Sequence, residues 1–259
     1  MKPFLLYFFL ILLGASSCQS TKPAPEATAA AAENLNPNLL PMYGKTAKTQ
    51  EQLDADLKFL EYSDQNFASR QEGSQFFSTR AWEYLGEGQP DTAMYRFNLA
   101  WLLDDTNSSA FWGFGAISAQ RGNLQEATSF LGQALTLEPN NSTLMVDLAS
   151  IKQGLYELEA GTKKKDLKRK QQNLTEATQL LQRAVEADPA NGYAHYRLSY
   201  NNFLLEDYDK AWEHLHKSRE IDMSFLDFGY LSQLMEKQED PKGLFKNNAT
   251  PTEAQPEGN

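Results

Sequence analysis

The sequence is poor in the residues that build covalent or metal frameworks. One cysteine among 259 residues excludes an intramolecular disulfide and a cysteine-rich metal site. Three histidines leave little material for a metal centre. Positive charge is also in deficit: 24 Lys and Arg stand against 34 Asp and Glu, a formal net charge of −10. Sequence-independent nucleic-acid binding needs a positive surface, so this balance argues against it. Apolar material is not lacking. Hydrophobic residues make up 41% of the chain and aromatics 12%, enough for a sizeable core and too much for a wholly disordered chain.

The one long apolar run is Phe4 to Leu13, ten residues preceded by Lys2. As a helix it reaches about 15 Å, roughly half the hydrocarbon thickness of a bilayer, so a signal segment fits better than a spanning helix. Gly14, Ala15, Ser16 and Ser17 then lead to the only cysteine, Cys18. Small residues before a cysteine resemble the bacterial lipobox, although Ala15 stands where that family commonly has Leu. The resemblance implies cleavage before Cys18 and acylation of Cys18, with three chains as a permanent membrane anchor. The alternative is ordinary cleavage near Ala15 or Ser17 that leaves a free thiol. Residues 1–17 are thus expected to be a signal peptide. Residues 18–48 are expected to be a disordered tether, because Gln19 to Pro41 is rich in Ala, Pro, Glu and Asn without amphipathic period. Residues 240–259 read as a disordered tail.

The region between is organised by self-similarity. Ala93, Ala127, Ala177 and Ala211 stand 34, 50 and 34 residues apart. Four residues after each come Phe97, Leu131, Leu181 and Leu215, and seven after each come Ala100, Ala134, Ala184 and Ser218. Small residues at fixed places let paired helices approach, a large apolar residue fills the groove between neighbours, and Pro139 and Pro189 stop the second helix. Leu-Gln-Glu-Ala at 124–127 and Leu-Thr-Glu-Ala at 174–177 are near copies of one helix start. This pattern resembles the tetratricopeptide repeat (TPR) family over about Ser74 to Phe225. The resemblance implies an all-α, right-handed superhelical solenoid of antiparallel helix pairs.

The expected repeats are 74–107, 108–141, 142–191 and 192–225. A leading helix is expected over 49–73, where Thr49 and Gln52 have capping-box spacing and Leu53, Leu57, Leu60 and Phe67 share a face. A capping helix over 226–239 would bury Phe228, Leu231 and Leu234. The third repeat is longer than the others. Its excess lies around Gly154 to Gln172 and, if shared equally, extends both helices of a hairpin with Gly161-Thr162 at the tip. Beside that tip lie Lys163, Lys164, Lys165, Lys168, Arg169 and Lys170. They form either a contact for anionic lipid or an acidic partner, or a solvated helix end.

Little reads as catalytic, and no cofactor is expected. His214 and His216 are two residues apart, so on a helix they point to different sides and are expected to be solvated. His195 is expected in packing or in a groove. In the resembling family the first helix of each repeat lines a concave face that meets ligands. Carried over, those positions give Trp82, Trp112, Tyr193, Tyr196 and Tyr200, with Arg197 beside them. The family's carboxylate clamp is otherwise missing, because Ser78, Thr79, Gly113 and Ala116 occupy its other places. Large rings with polar handles suit partner recognition; packing on the flanking helices is the competing reading.

The expected function is therefore that of a non-enzymatic scaffold or adaptor, held by its lipid at the outer membrane and facing the periplasm. It would bind a protein or peptide of the cell envelope. The alternative is an envelope glycan-binding protein that uses Trp82, Trp112, Tyr196 and Tyr200 as stacking platforms.

Overall fold

The structure, a computed structural model, describes residues 36–159 and 164–245. Cys18, the signal segment, Lys163 and the Gly161-Thr162 tip lie outside the described residues, as do the side chains of Lys164 and Lys165. The described residues contain α-helices and short 3₁₀ turns and no strand. The chain divides into two compact units, 1–117 and 118–259.

The first unit holds α1 (Gln50–Asn66), α2 (Arg70–Gly86), α3 (Pro90–Leu103) and most of α4 (Ser108–Gln120). Thr49 closes a reciprocal capping box with Gln52 at the start of α1. The stripe expected on α1 splits: Leu53 and Leu57 are exposed. Phe59 turns inward instead, meeting Phe77 edge to face at 5.2 Å, and Phe67 packs on Phe76 and Phe77. The next helix starts at Arg70, four residues ahead of Ser74, because the Ser69 hydroxyl accepts from the Glu72 amide. Ala81, Ala93, Phe97 and Ala100 are fully buried between α2 and α3.

Part of the expected tether is ordered. Pro37–Leu39 and Pro41–Lys45 form 3₁₀ turns that lie on α3. Fully buried Asn98 organises them: its Nδ2 donates to the carbonyls of Asn38 (3.0 Å) and Leu40 (2.9 Å), and its Oδ1 accepts from the Tyr43 amide (3.4 Å). Met42, Tyr43, Gly44 and Lys45 all have φ between 53° and 73°. Three of these residues carry side chains, for which left-handed backbone costs roughly 1–2 kcal/mol each. The strain persists because Asn98 and the buried Tyr43 ring fix the strap.

The second unit holds α5 (Leu124–Leu137), α6 (Ser142–Leu158), α7 (Lys164–Ala187), α8 (Gly192–Leu204), α9 (Tyr208–Ile221) and α10 (Phe228–Lys237). Helices α6 with α7, and α8 with α9, pack as pairs. Ala127, Ala177 and Ala211 are fully buried, and Leu131, Leu181 and Leu215 fill the spaces beside them. The long pair is lengthened unevenly: α7 has 24 residues where α5 has 14, while α6 has 17 where α4 has 13. Most of the extra length therefore falls on the second helix. On α10, Leu231 and Leu234 are buried, but Phe228 is exposed and Tyr230 takes the third inward place.

The start of the expected tail is likewise packed. Asp240 is buried. Its Oδ1 accepts from the Lys242 amide and its Oδ2 from the amides of Leu244 and Phe245. The Phe245 ring lies parallel to those of Trp212 and His216. Residues 240–245 of that stretch are thus held by one carboxylate and one ring.

Candidate partner-binding groove

The expected groove residues fall in both units. In the first, Trp82 of α2 meets Phe97 at 5.2 Å and Trp112 of α4 at 5.5 Å, both edge to face. Its indole N–H donates to the Ser109 hydroxyl at 2.8 Å. Both tryptophans are half-buried. Gly113 beside Trp112 lies against the Phe97 ring so closely that a Cβ there would sit 2.2 Å from it.

In the second unit, Tyr193, Tyr196, Tyr200 and Phe203 form one stripe on α8, as the spacing of 3, 4 and 3 requires. The stripe wraps around Tyr230 of α10: Tyr196, Tyr200 and Phe203 lie 6.0, 5.2 and 5.6 Å from its ring, each near perpendicular. Tyr193 stacks on Tyr196 and leans on Phe225. Ser199 donates to the Ala211 carbonyl at 2.6 Å, so at the 2.6 Å contact with Tyr230 the phenol is the donor. Burial pushes the Tyr196 phenol up to about 12 and raises those of Tyr200 and Tyr230. All three are neutral hydrogen-bonding groups at physiological pH. The rings are half-buried, with one side on α10.

Arg197 faces α6. Its Nη2 donates to Oε1 of buried Gln153, whose own amide donates to Glu157. The Arg197 Nε–H is buried and meets no acceptor, and among the described residues the guanidinium forms no ion pair with a carboxylate. A guanidinium carries five donors in a planar fork suited to a carboxylate. Here α6 and α8 hold one such fork, half-buried and incompletely used, between neutral phenols and an amide.

The basic cluster is partly engaged. Arg169 donates from Nε to Glu159 at 2.7 Å and lies 3.6 Å from Asp166, while Lys170 sits 4.6 Å over the Tyr156 ring. Lys168 is exposed.

The histidines depart most from expectation. His216 is buried, bonded through Nε2 to Asp240 at 2.8 Å and stacked on Trp212. His214 is half-buried and meets buried His195 across the α8–α9 pair. The missed signal is hairpin register: in an antiparallel pair, residues 19 apart near its open end come face to face. No group of three or more His, Cys, Asp or Glu suited to a metal occurs among the described residues.

No protein-family model and no curated protein sequence matches the chain. Solved structures do. A thermophilic TPR protein of Thermus thermophilus aligns over 63% of this chain and 85% of its own, at 18% identity and a TM-score of 0.53. The fold is a TPR fold. PilF of Pseudomonas aeruginosa aligns over 69% of this chain and 79% of its own, at 17% identity and a TM-score of 0.50. A MamA double mutant of strain RS-1 aligns over 65% and 86%, at 18% identity and a TM-score of 0.51. At these identities the likeness is one of fold. A TPR array provides stacked helix pairs whose first helices share a face, and α6 and α8 are the first helices of the two pairs that flank Arg197.

Proposed function

We propose that this TPR chain is a scaffold or adaptor of the bacterial cell envelope, tethered to a membrane through lipid on Cys18, and that it binds a protein or peptide along the α6–α8 face. The observation that carries the binding role is Arg197: a half-buried guanidinium in no ion pair among the described residues, fixed by Gln153 beside Tyr193, Tyr196 and Tyr200. The Nε–H is itself buried out of a partner's reach, so an incoming acceptor would meet the half-exposed end of the guanidinium. A carboxylate on the partner fits both the charge and the planar fork.

The anchor rests on sequence: ten apolar residues, small residues, then the only cysteine. In the described residues no helix is long and apolar enough to cross a membrane. The tether between Cys18 and the strap at Asn36 would hold the repeats off the membrane surface.

Two measurements test the reading. Mass spectrometry of wild-type protein should show acyl chains at Cys18, and Cys18→Ser should release the chain from membranes or leave it uncut. A free thiol in mature wild type would refute the anchor. Affinity capture from envelope extracts with wild type and Arg197→Ala tests the groove. Proteins retained by the first and lost by the second support it, whereas retention of polysaccharide alone would favour the glycan reading.

A further inference from the structure

The His195–His214 contact has a chemistry that its geometry fixes. The two Nδ1 atoms lie 3.1 Å apart, and the ring centroids are 5.3 Å apart with planes within 26°. The nitrogens therefore point nearly head-on, the arrangement of an N–H···N hydrogen bond. The other nitrogen of His195, Nε2, lies 3.2 Å from the Pro189 carbonyl. A carbonyl only accepts, so His195 carries its proton on Nε2 and presents a lone pair at Nδ1. His214 must then donate from Nδ1. Both rings are neutral and both tautomers are set by one backbone carbonyl.

The charged groups around the pair are mixed. From the end of α7 and the turn after it come Glu186 and Asp188. From α9 come Lys210, Glu213, Lys217 and Glu220. Lys217 is paired with Glu213, and Lys210 with Asp207. No carboxylate is hydrogen-bonded to either imidazole among the described residues; Glu213 and Asp188 favour an imidazolium only through space, and burial outweighs them.

We propose that His195 and His214 form a proton-sensitive latch between α8 and α9. Joined, the pair accepts at most one added proton, on His214 Nε2, because a proton on His195 Nδ1 would set two N–H groups against each other. Parted, each ring takes a proton, two in all. Acid therefore favours the parted state by mass action. Burial depresses both rings, with His195 second among the causes for His214, which lies at about 4. The sign follows: the parted rings bind more protons than the joined ones. The latch is thus complete above the ordinary imidazole pKa of about 6.5 and weakens as pH falls from there toward 4. Tyr196 and Arg197 follow His195 on α8, so a parted latch would disturb the groove; that consequence rests on the function proposed above.

The test uses the full chain labelled with ¹⁵N. Long-range ¹H–¹⁵N spectra near pH 7.5 should show His195 protonated at Nε2 and His214 at Nδ1. Amide protection in α8 and α9, corrected for intrinsic exchange, should fall between pH 6.5 and 4.5, approaching roughly tenfold per pH unit for each extra proton bound. His214→Asn keeps a donor near the Nδ1 position and cannot be protonated, so its protection should fall by a smaller factor. Mixed tautomers with both rings titrating near 6.5 would overturn the latch. If His214→Asn does not fold, the wild-type tautomers decide. None of these readouts needs a partner, so failure of the groove leaves the latch standing, and the reverse.

Discussion

Nδ2 of Asn107 donates to Oγ of Ser74 at 2.6 Å, and that hydroxyl donates onward to the Ala100 carbonyl at 2.7 Å. The same arrangement recurs in the second unit: Asn191 donates to Ser142 at 3.0 Å, and Ser142 to the Ala184 carbonyl at 3.0 Å. The Oδ1 of each asparagine meanwhile accepts from the amide three residues on, Ala110 or Ala194. One side chain thus ties a helix pair together and caps the helix that follows. Asn107→Ala and Asn191→Ala should each lower stability by about 1–2 kcal/mol, the cost of a lost cap and a lost internal bond. Asn→Asp at either place keeps the acceptor and should cost less. Urea midpoints at unchanged m-value read both outcomes.

Gly113 and Gly132 form a matched pair of opposite sign. A Cβ at Gly113 would overlap the Phe97 ring, which is fully buried and has no room to move. Gly113→Ala should therefore destabilise by about 1–3 kcal/mol through overpacking. At Gly132, inside α5, a Cβ meets nothing within 4 Å. Gly132→Ala should stabilise by about 0.5–1 kcal/mol through helix propensity. Thermal melts of the two variants check the contrast.

The fold class was legible because its signal is periodic. Ala93, Ala127, Ala177 and Ala211 recur in phase and all are fully buried, so tertiary packing and sequence pattern agree. The strap on α3 was not legible, since its order depends on Asn98, which is 55 to 60 residues from its partners. The Asp240–Phe245 segment hid for the same reason: its anchors, Trp212 and His216, lie on α9. The uneven α6–α7 pair shows a limit of another kind, because a length excess does not say which helix carries it. Of the groove, the α8 stripe could be read from spacing alone. That Tyr230 would lie against it could not, because Phe228 is the more apolar of the two rings and by hydrophobicity alone takes the inward place.

Substitutions on the two sides of that stripe separate binding from packing. Tyr230→Ala removes a ring that touches Tyr196, Tyr200 and Phe203 and a phenol bonded to Ser199. It should cost about 3–5 kcal/mol of stability. Arg197→Ala should leave the melting temperature within a few degrees of wild type and weaken partner binding by about 2 kcal/mol, roughly 30-fold. Calorimetry and partner pull-down on one preparation of each variant compare them. Equal loss of stability in both would assign Arg197 to packing.

The carboxyl of Asp240 is held below its ordinary value. Burial opposes its charge, but the amides of Phe245 and Lys242 and the His216 ring outweigh that. A lowered carboxyl contributes stability above the ordinary value of about 3.9, and loses it as pH falls through the folded value. Asp240→Ala should cost about 2–4 kcal/mol near neutrality, since it leaves His216 and three amides unmet. Its melting temperature should also vary less with pH below 5 than that of wild type. A flat difference between the two across that range would place the effect elsewhere.

The Asp240–Phe245 segment also bears on how such an array changes length over generations. Repeat proteins grow when a unit is duplicated and stacks on a neighbour's open apolar surface. Here that surface at Trp212 is already covered, on one side by the Phe245 ring and on another by the Gln238 carbonyl, which accepts from the indole N–H. A helix pair stacked at that end would find the Trp212 ring already covered. A duplication that keeps this packing would carry α8, α9, α10 and the Asp240–Phe245 segment together as one piece.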